Sequence, residues 1–468
     1  MHPIFVFDIE VLPVIEALVL REAVMTTKKT DFSRRDFLKA GTMGAVGLYA
    51  FGRNGLEAFP QGEKIRAALV GTGIRGTGTW GRDLLRRYGD VVEMVGLCDR
   101  NPKRMAFSKG YMGATCPTYT DFDRMFAETS PELVIVTTTD CYHSKYICAA
   151  MEKGADVITE KPLATDEKLA QDIIDAEKRT GRKLTVAFNY RFGPDAVRIK
   201  EILKSGEIGE ISSVDFNYYL DVFHGASYFR RWHGFKQFSG SLLVHKATHH
   251  FDLMNWWLAA EPVEVNAYAY LRKYGHNGLV RGENCRTCTY KSQCPFFWDI
   301  TKDPMLMSLY VNAESEDGYI RDACVFREKI NIWDTMNVQV QYHNRVTMSY
   351  SLNAFMPYEG YFVGFNGTKG RLDVRVYHQT PWKTNSLADF RITQSFKNTK
   401  AFNIQSEGEG HWGADGIMQD RIFRGVKDDP LQQSAGIRDG VLSIMIGIAA
   451  RRSIEQKRPF AIEELISI

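Results

Sequence analysis

The chain has 468 residues, of which 44% are hydrophobic and 25% charged, and its formal net charge is +3 at pH 7. That length exceeds what one hydrophobic core supports, so two or three domains of roughly 100–200 residues are expected, and the composition excludes a disordered, collagen-like or low-complexity chain. So small a charge creates no field suited to collecting nucleic acid, and no run of about 18 or more apolar residues offers a bilayer span; a small-molecule partner fits best.

Near the N-terminus, Ser33-Arg34-Arg35-Asp36-Phe37-Leu38-Lys39 precedes a mildly apolar stretch from Ala40 to Phe51. Paired arginines, a Phe-Leu pair and a weakly hydrophobic segment in that order match a twin-arginine export signal, the alternative being an amphipathic surface helix. Residues 1–60 are therefore expected to be a leader that sends the folded protein to the periplasm. Met25 is an alternative start, and cleavage or retention as a tether both stay open.

Residues 61–187 read as a dinucleotide-binding unit. The apolar run Ile65 to Val70 leads into Gly71-Thr72-Gly73-Ile74-Arg75-Gly76 and then a helical stretch. In such a turn the first glycine permits the bend, the second admits a pyrophosphate to the backbone, and the third lets helix pack on strand, while the helix N-terminus receives the phosphate charge. A second run, Val91 to Cys98, ends in Asp99, with Arg100 beside it. An acid there accepts a ribose 2′-hydroxyl and repels a 2′-phosphate, which favours NAD over NADP; the other reading of Asp99 is a helix N-cap before Pro102. Leu133 to Thr137 leads to Thr138, Asp140 and His143, and Val157 to Thr159 ends in Glu160-Lys161-Pro162. Alternating strands and helices make a parallel sheet, whose carboxyl ends bind ligands, so Lys161 stands where chemistry is expected.

These motifs, with Ala187-Phe188-Asn189-Tyr190-Arg191-Phe192, Gly206-Glu207-Ile208-Gly209 and Gly240 before His249-His250-Phe251-Asp252, resemble the glucose-fructose oxidoreductase and inositol dehydrogenase (Gfo/Idh/MocA) family from about Ile65 to the C-terminus. The resemblance implies an NAD(H)-dependent oxidoreductase acting on a sugar, aminosugar or glycoside hydroxyl, built as a homodimer or homotetramer. Redox glycosidases that use tightly held NAD for transient oxidation are the alternative within the same family. It further implies a cofactor site of Gly71, Gly73, Ile74, Arg75, Gly76, Asp99, Arg100, Thr138, His143, Glu160, Lys161, Asn189 and Arg191. The family pattern Asp-x-Gly-x-His reads here His245-Lys246-Ala247-Thr248-His249, so a histidine replaces the aspartate.

Oxidising a carbinol requires a base within hydrogen-bond reach of the departing proton. Lys161 and His249 take that role by resemblance, Lys161 polarising the oxygen. His245, four residues earlier, is expected on the same helical face as His249, and Lys246 on another. Tyr228, Arg231, Trp232 and His233 suit stacking on a sugar and bonding its hydroxyls, and His411 with Asp415 stands where the family places a substrate-side pair, unless Asp415 only caps its helix. Residues 188–468 carry alternating segments (Ser212 to Leu220, Val263 to Leu271, Asn337 to Tyr342, Val346 to Leu352, Tyr361 to Phe365, Arg371 to Val376) and so read as an α+β domain with a large, mostly antiparallel open sheet. An insertion at about 273–329 holds Cys285, Cys288, Cys294 and Cys324. A tetrahedral zinc staple for a segment without its own core fits that spacing; two disulfides or an iron-sulfur cluster are the alternatives.

Overall fold

The computed structural model describes residues 63–405, 413–425 and 428–467; the twin-arginine segment and His411 lie outside the described residues. Strands β1 (Ile65–Val70), β2 (Val92–Cys98), β3 (Thr118–Tyr119), β4 (Leu133–Val136), β5 (Asp156–Thr159) and β6 (Leu184–Val186) form one sheet in the order β3-β2-β1-β4-β5-β6. Every pairing in it is parallel. Its central strands are buried on both faces, which is why they read as continuous apolar runs rather than alternating ones. The order reverses between β1 and β4, so a crevice opens at their carboxyl ends.

Gly71 has φ 96°, and a Cβ on it would lie 2.7 Å from the carbonyl carbon of Thr137. A Cβ on Gly76 would strike the Gly71 carbonyl. Both glycines are therefore demanded by close backbone approach at the crevice floor.

The second sheet has nine strands in the order β14-β13-β12-β11-β7-β10-β9-β8-β15. They are β7 (Ile211–Asp221), β8 (Pro262–Tyr270), β9 (Thr335–Tyr342), β10 (Thr347–Met356), β11 (Glu359–Gly367), β12 (Gly370–Gln379), β13 (Ser386–Gln394), β14 (Thr399–Gln405) and β15 (Phe460–Ala461). Only β7 and β10 pair in parallel. Alternation puts Val338, Val340, Met348 and Tyr350 into the core, while Tyr268 and Tyr270 stay exposed. All six predicted strands are present; β13, β14 and β15 are additions.

Two helices, Thr248–Leu258 and Ile437–Gln456, cover the inner face. Ile444, Met445, Ile446 and Ile448 of the longer one are fully buried, each such side chain stabilising by about 1.5–3 kcal/mol. Gly447 lets that helix press on the Leu243 backbone, where a Cβ would collide. A rigid support thus lies directly under the segment that carries His245.

The insertion differs from expectation in two ways. It has a small core of its own, Ile300, Leu306, Leu309 and Tyr310, packed with Phe107 of the first domain. The docking is polar as well: Asn101 Nδ2 donates to the Ala313 carbonyl at 2.9 Å, Arg104 Nε to the Leu309 carbonyl at 3.2 Å, and Arg104 pairs with Asp317 at 3.0 Å. Nor do its thiols form the zinc set. Among the described residues, the only group of three or more His, Cys, Asp or Glu side chains whose ligand atoms lie within 4.8 Å of one another is Asp221, His224 and Glu359, and all eight cysteines are free. Cys285 Sγ is instead engaged by Arg230 Nη1 at 3.0 Å, and Cys324 Sγ accepts from the Phe326 amide at 3.4 Å.

Candidate active site

A cavity of about 880 Å³ runs from the glycine turn and Asp99 to the second sheet, and the insertion lines it too. At the cofactor end, Gly73 precedes the short helix Ile74–Thr77, and a Cβ on Gly73 would meet only the Tyr310 hydroxyl, at 3.6 Å. The missing side chain leaves the cradle that a pyrophosphate needs. In this structure the Ile74 amide donates to Tyr310 Oη at 3.0 Å, so the insertion reaches the helix N-terminus itself. Asp99 is held by the Thr72 amide (2.7 Å) and hydroxyl (3.0 Å) and by the Asn101 amide (2.9 Å). Asn101, accepting from the Arg104 amide, is the cap of the following helix. Asp99 is therefore a lining carboxylate and not an N-cap, and Arg100 lies beside it along the cavity.

Arg75, Glu160, Asn189 and Asp415 form one network. Arg75 Nε donates to Glu160 at 2.7 Å, and its two terminal nitrogens grip Asp415 at 2.9 and 3.0 Å. Asn189 Nδ2 donates to Asp415 Oδ1 at 2.9 Å. Burial opposes the Arg75 charge, but the two carboxylates hold its pKa above the ordinary value. Asp415 thus clamps the glycine turn through Arg75 and Asn189. His143 braces the wall, its ring nitrogens 2.8 and 3.1 Å from the Pro162 and Thr138 carbonyls.

Arg191 is not in the cavity wall. Its side chain is 2% exposed and grips Asp252 at 2.6 and 2.9 Å and Asp439 at 2.8 Å. It joins the crossing segment to the two covering helices, and the cofactor role is withdrawn.

At the chemical end, Lys161 Nζ donates to the His245 carbonyl at 3.3 Å. His245 Nδ1 lies 2.6 Å from Asp140 Oδ2, with His245 7% and Asp140 3% exposed. Asp140 follows β4 on a single helical turn, at the strand end where ligands bind; its partner is 105 residues on, and sequence reasoning assigned it no role. Burial, then the Lys161 and Arg231 charges, push the His245 ring well below its ordinary pKa. Burial pushes Lys161 down to about 8. Tyr228, Trp232 and His233 surround the His245 ring edge-on, with centroids 5.4, 5.7 and 4.2 Å away. His249 lines the same cavity, stacked on Tyr190 at 4.1 Å.

His245 and His249 do not share a continuous helix. One short helix, Leu242–His245, ends at Lys246, and the next starts at Thr248. Gly240 (φ 67°) and Ser241 (φ 96°) turn the chain into the first of these. A non-glycine residue there stores strain of about 1–3 kcal/mol, as functional sites often do. The break also turns Lys246 into the cavity, where it reaches Tyr190 Oη at 3.3 Å and Glu359 at 3.9 Å. Glu359 also takes the His224 ring at 2.8 Å and the Tyr218 hydroxyl at 3.0 Å.

The sequence models of two oxidoreductase-family domains match this chain, the NAD-binding Rossmann fold over residues 65–188 and the C-terminal α/β domain over residues 200–462. The chain belongs to the Gfo/Idh/MocA family. It is an oxidoreductase with an NAD-binding Rossmann domain. YteT of Bacillus subtilis is 37% identical over 415 residues, spanning 83% of this chain and 95% of YteT. An inositol 2-dehydrogenase/D-chiro-inositol 3-dehydrogenase of Lactiplantibacillus plantarum is 27% identical over 207 residues, 43% of this chain and 56% of that one. Among solved structures, the WlbA dehydrogenase of Bordetella pertussis in complex with NADH and UDP-GlcNAcA superposes with TM-score 0.59 at 18% identity, over 86% of this chain and 98% of that one. The aldose-aldose oxidoreductase of Caulobacter crescentus gives 0.58 at 17%, over 85% and 100%. At these identities the structural matches establish a shared fold.

Proposed function

We propose that this Gfo/Idh/MocA protein oxidises a carbohydrate secondary hydroxyl, with Lys161, His245 and Asp140 as its acid-base apparatus. The observation that carries the reading is the buried Asp140–His245 pair, 2.6 Å apart, beside Lys161 in one cavity with the glycine turn. Burial raises the Asp140 carboxyl well above its ordinary range, with the Lys161 and Arg231 charges opposing; in the ionised form that supports the base, Asp140 accepts from His245 Nδ1–H and leaves Nε2 as the basic nitrogen. Nε2 takes the hydroxyl proton, and the Asp140 charge stabilises the imidazolium that results. Lys161 as ammonium faces the same oxygen and lowers the cost of its developing negative charge. The Tyr228, Trp232 and His233 rings exclude water and offer a sugar an apolar face.

NAD fits the other end: Gly71, Gly73 and Gly76 provide the turn, Ile74 the helix N-terminus and Asp99 the acceptor for a ribose hydroxyl. When bound, NAD supplies the hydride acceptor. The inositol- and sugar-acting names among the relatives support the carbohydrate class.

The test is NADH formation, followed at 340 nm, across polyols, hexoses, aminosugars and glycosides, with Lys161→Met and His245→Asn alongside. Net NADH with one or more of these compounds, lost in both variants, is the expected result. Glycoside cleavage without net NADH would overturn the reading in favour of internal redox cleavage.

A further inference from the structure

Among the described residues the other cations of the cavity wall have a countercharge or carbonyl partner, except Lys145, which lies over the Tyr146 ring at 5.3 Å; Lys161 holds the His245 carbonyl. Arg75 holds Glu160 and Asp415, Arg104 holds Asp99 and Asp317, Lys246 faces Glu359, and Arg100 Nη2 reaches the Asp317 carbonyl at 3.5 Å. Two arginines differ. Arg321, from the insertion, is 8% exposed, and its Nε and Nη1 have no hydrogen-bond partner among the described residues. Its guanidinium lies over the Tyr310 and Trp298 rings, at 5.3 and 5.9 Å. Arg231 lies over Tyr228 at 5.0 Å and spends only Nε, on the Ser227 carbonyl at 2.9 Å. Among the described residues neither pairs with a carboxylate. Both line the cavity, and Arg321 shares the Trp298 ring, at 5.9 Å, with Arg230, the chain neighbour of Arg231, at 5.7 Å; burial first and the Arg321 charge second lower the Arg231 pKa.

Stacking on aromatic rings satisfies the flat face of a guanidinium but leaves its in-plane N–H donors unmet. Burying such donors without an acceptor, and two like charges together, costs several kcal/mol unless a ligand supplies the counterion. The fork of a guanidinium matches a carboxylate or phosphate in plane. Arg231 stacks on Tyr228, whose ring centroid is 5.4 Å from that of His245, which places it at the chemical end of the cavity.

We infer that Arg231 and Arg321 form an anion subsite that receives the carboxylate of a sugar acid, so that the substrate class is a uronate or a uronate-bearing glycoside. This rests on the carbohydrate reading above and narrows it. The insertion then has a task beyond covering the crevice: it delivers Arg321 and makes the site selective for acidic sugars.

The probe is a set of pairs differing only at the carboxylate, glucuronate with glucose and galacturonate with galactose, titrated calorimetrically into the NAD-loaded full-length protein, with NAD affinity measured separately by calorimetry in the absence of sugar. At least one uronate is expected to bind about tenfold or more tighter than its neutral partner, as a bidentate charged pair warrants. Arg321→Gln and Arg231→Gln should each remove that preference while NAD affinity holds. No uronate preference in the unmodified protein overturns the inference, and that result does not depend on how either variant folds. Loss of NAD affinity in the variants with the uronate preference intact also overturns it, assigning the arginines to the pyrophosphate. Because binding is read without turnover, uronate selectivity with no NADH formed would refute the redox reading and leave the subsite standing.

Discussion

Asp140→Asn is the sharpest test of the acid-base assignment, because it keeps size and shape and removes only the charge. Asp140 Oδ2 lies 2.6 Å from His245 Nδ1 in a site that is almost wholly buried. Unit charges about 4 Å apart at an effective dielectric of about 20 interact by about 4 kcal/mol. That energy is absent while His245 is neutral and appears as the ring takes the substrate proton. An asparagine amide keeps part of the hydrogen bond, so about 3 kcal/mol of transition-state stabilisation is lost, or about 100-fold in kcat at tenfold per 1.36 kcal/mol. The change removes an interaction made only in the transition state, so kcat and kcat/KM fall together while KM stays near its original value. Initial rates of NADH formation at saturating NAD measure it, with a thermal melt to confirm folding. A kcat within a factor of about two of the parent would refute the assignment of His245 as an Asp140-supported base.

Lys161 titrates at about 8 because burial lowers it from its ordinary value near 10.5. Its ammonium is complete near pH 6 and half lost at about 8, so kcat/KM for oxidation should fall above pH 8; Lys161→Arg, which keeps its charge, should lose that alkaline limb. A rate that instead rises through pH 8 would make Lys161 the base. Tyr310→Phe removes the hydroxyl that occupies the Ile74 amide; one neutral hydrogen bond is worth about 0.5–1.5 kcal/mol, so NAD should bind roughly 2- to 10-fold tighter. Unchanged or weaker binding would show that Tyr310 does not compete with the phosphates. Arg191→Met strands the buried Asp252 carboxylate, and a stability loss of about 3–5 kcal/mol by denaturant unfolding is expected; a loss under about 1 kcal/mol would return Arg191 to a ligand-side role.

The parts legible in sequence are those whose logic is local. Gly71, Gly73 and Gly76 sit within six residues of one another after an apolar run, and Lys161 follows directly from the end of β5. Alternation along β7 to β12 fixed the inward faces because the pleat has period two. Long-range pairing left no such mark. Asp140 meets His245 across 105 residues, Arg75 meets Asp415 across 340, and the Ile74 amide meets Tyr310 across 236. Arg191 looked like a ligand-side cation because its partners, Asp252 and Asp439, are 61 and 248 residues distant. Lys246 was placed on the wrong side because a four-residue spacing presumes an unbroken helix, and the chain breaks at Lys246 and Ala247. The strand-end rule itself pointed at Asp140, which closes the Thr138-Thr139-Asp140 segment after β4; that signal was present and went unused. The cysteine spacing suggested a metal that the positions of the thiols do not gather, because spacing constrains loop length but not the direction of each Cβ.

The most direct test of hydride transfer at this site uses a substrate deuterated at every carbon, taken from the compounds that yield NADH, with unlabelled NAD in ordinary water. Mass spectrometry of the nucleotide after single turnover reads where the label goes. The account predicts NADH heavier by one deuterium, formed in step with the oxidised sugar and absent in Lys161→Met. Unlabelled NADH, or label released to solvent with the glycosidic bond broken, would contradict it.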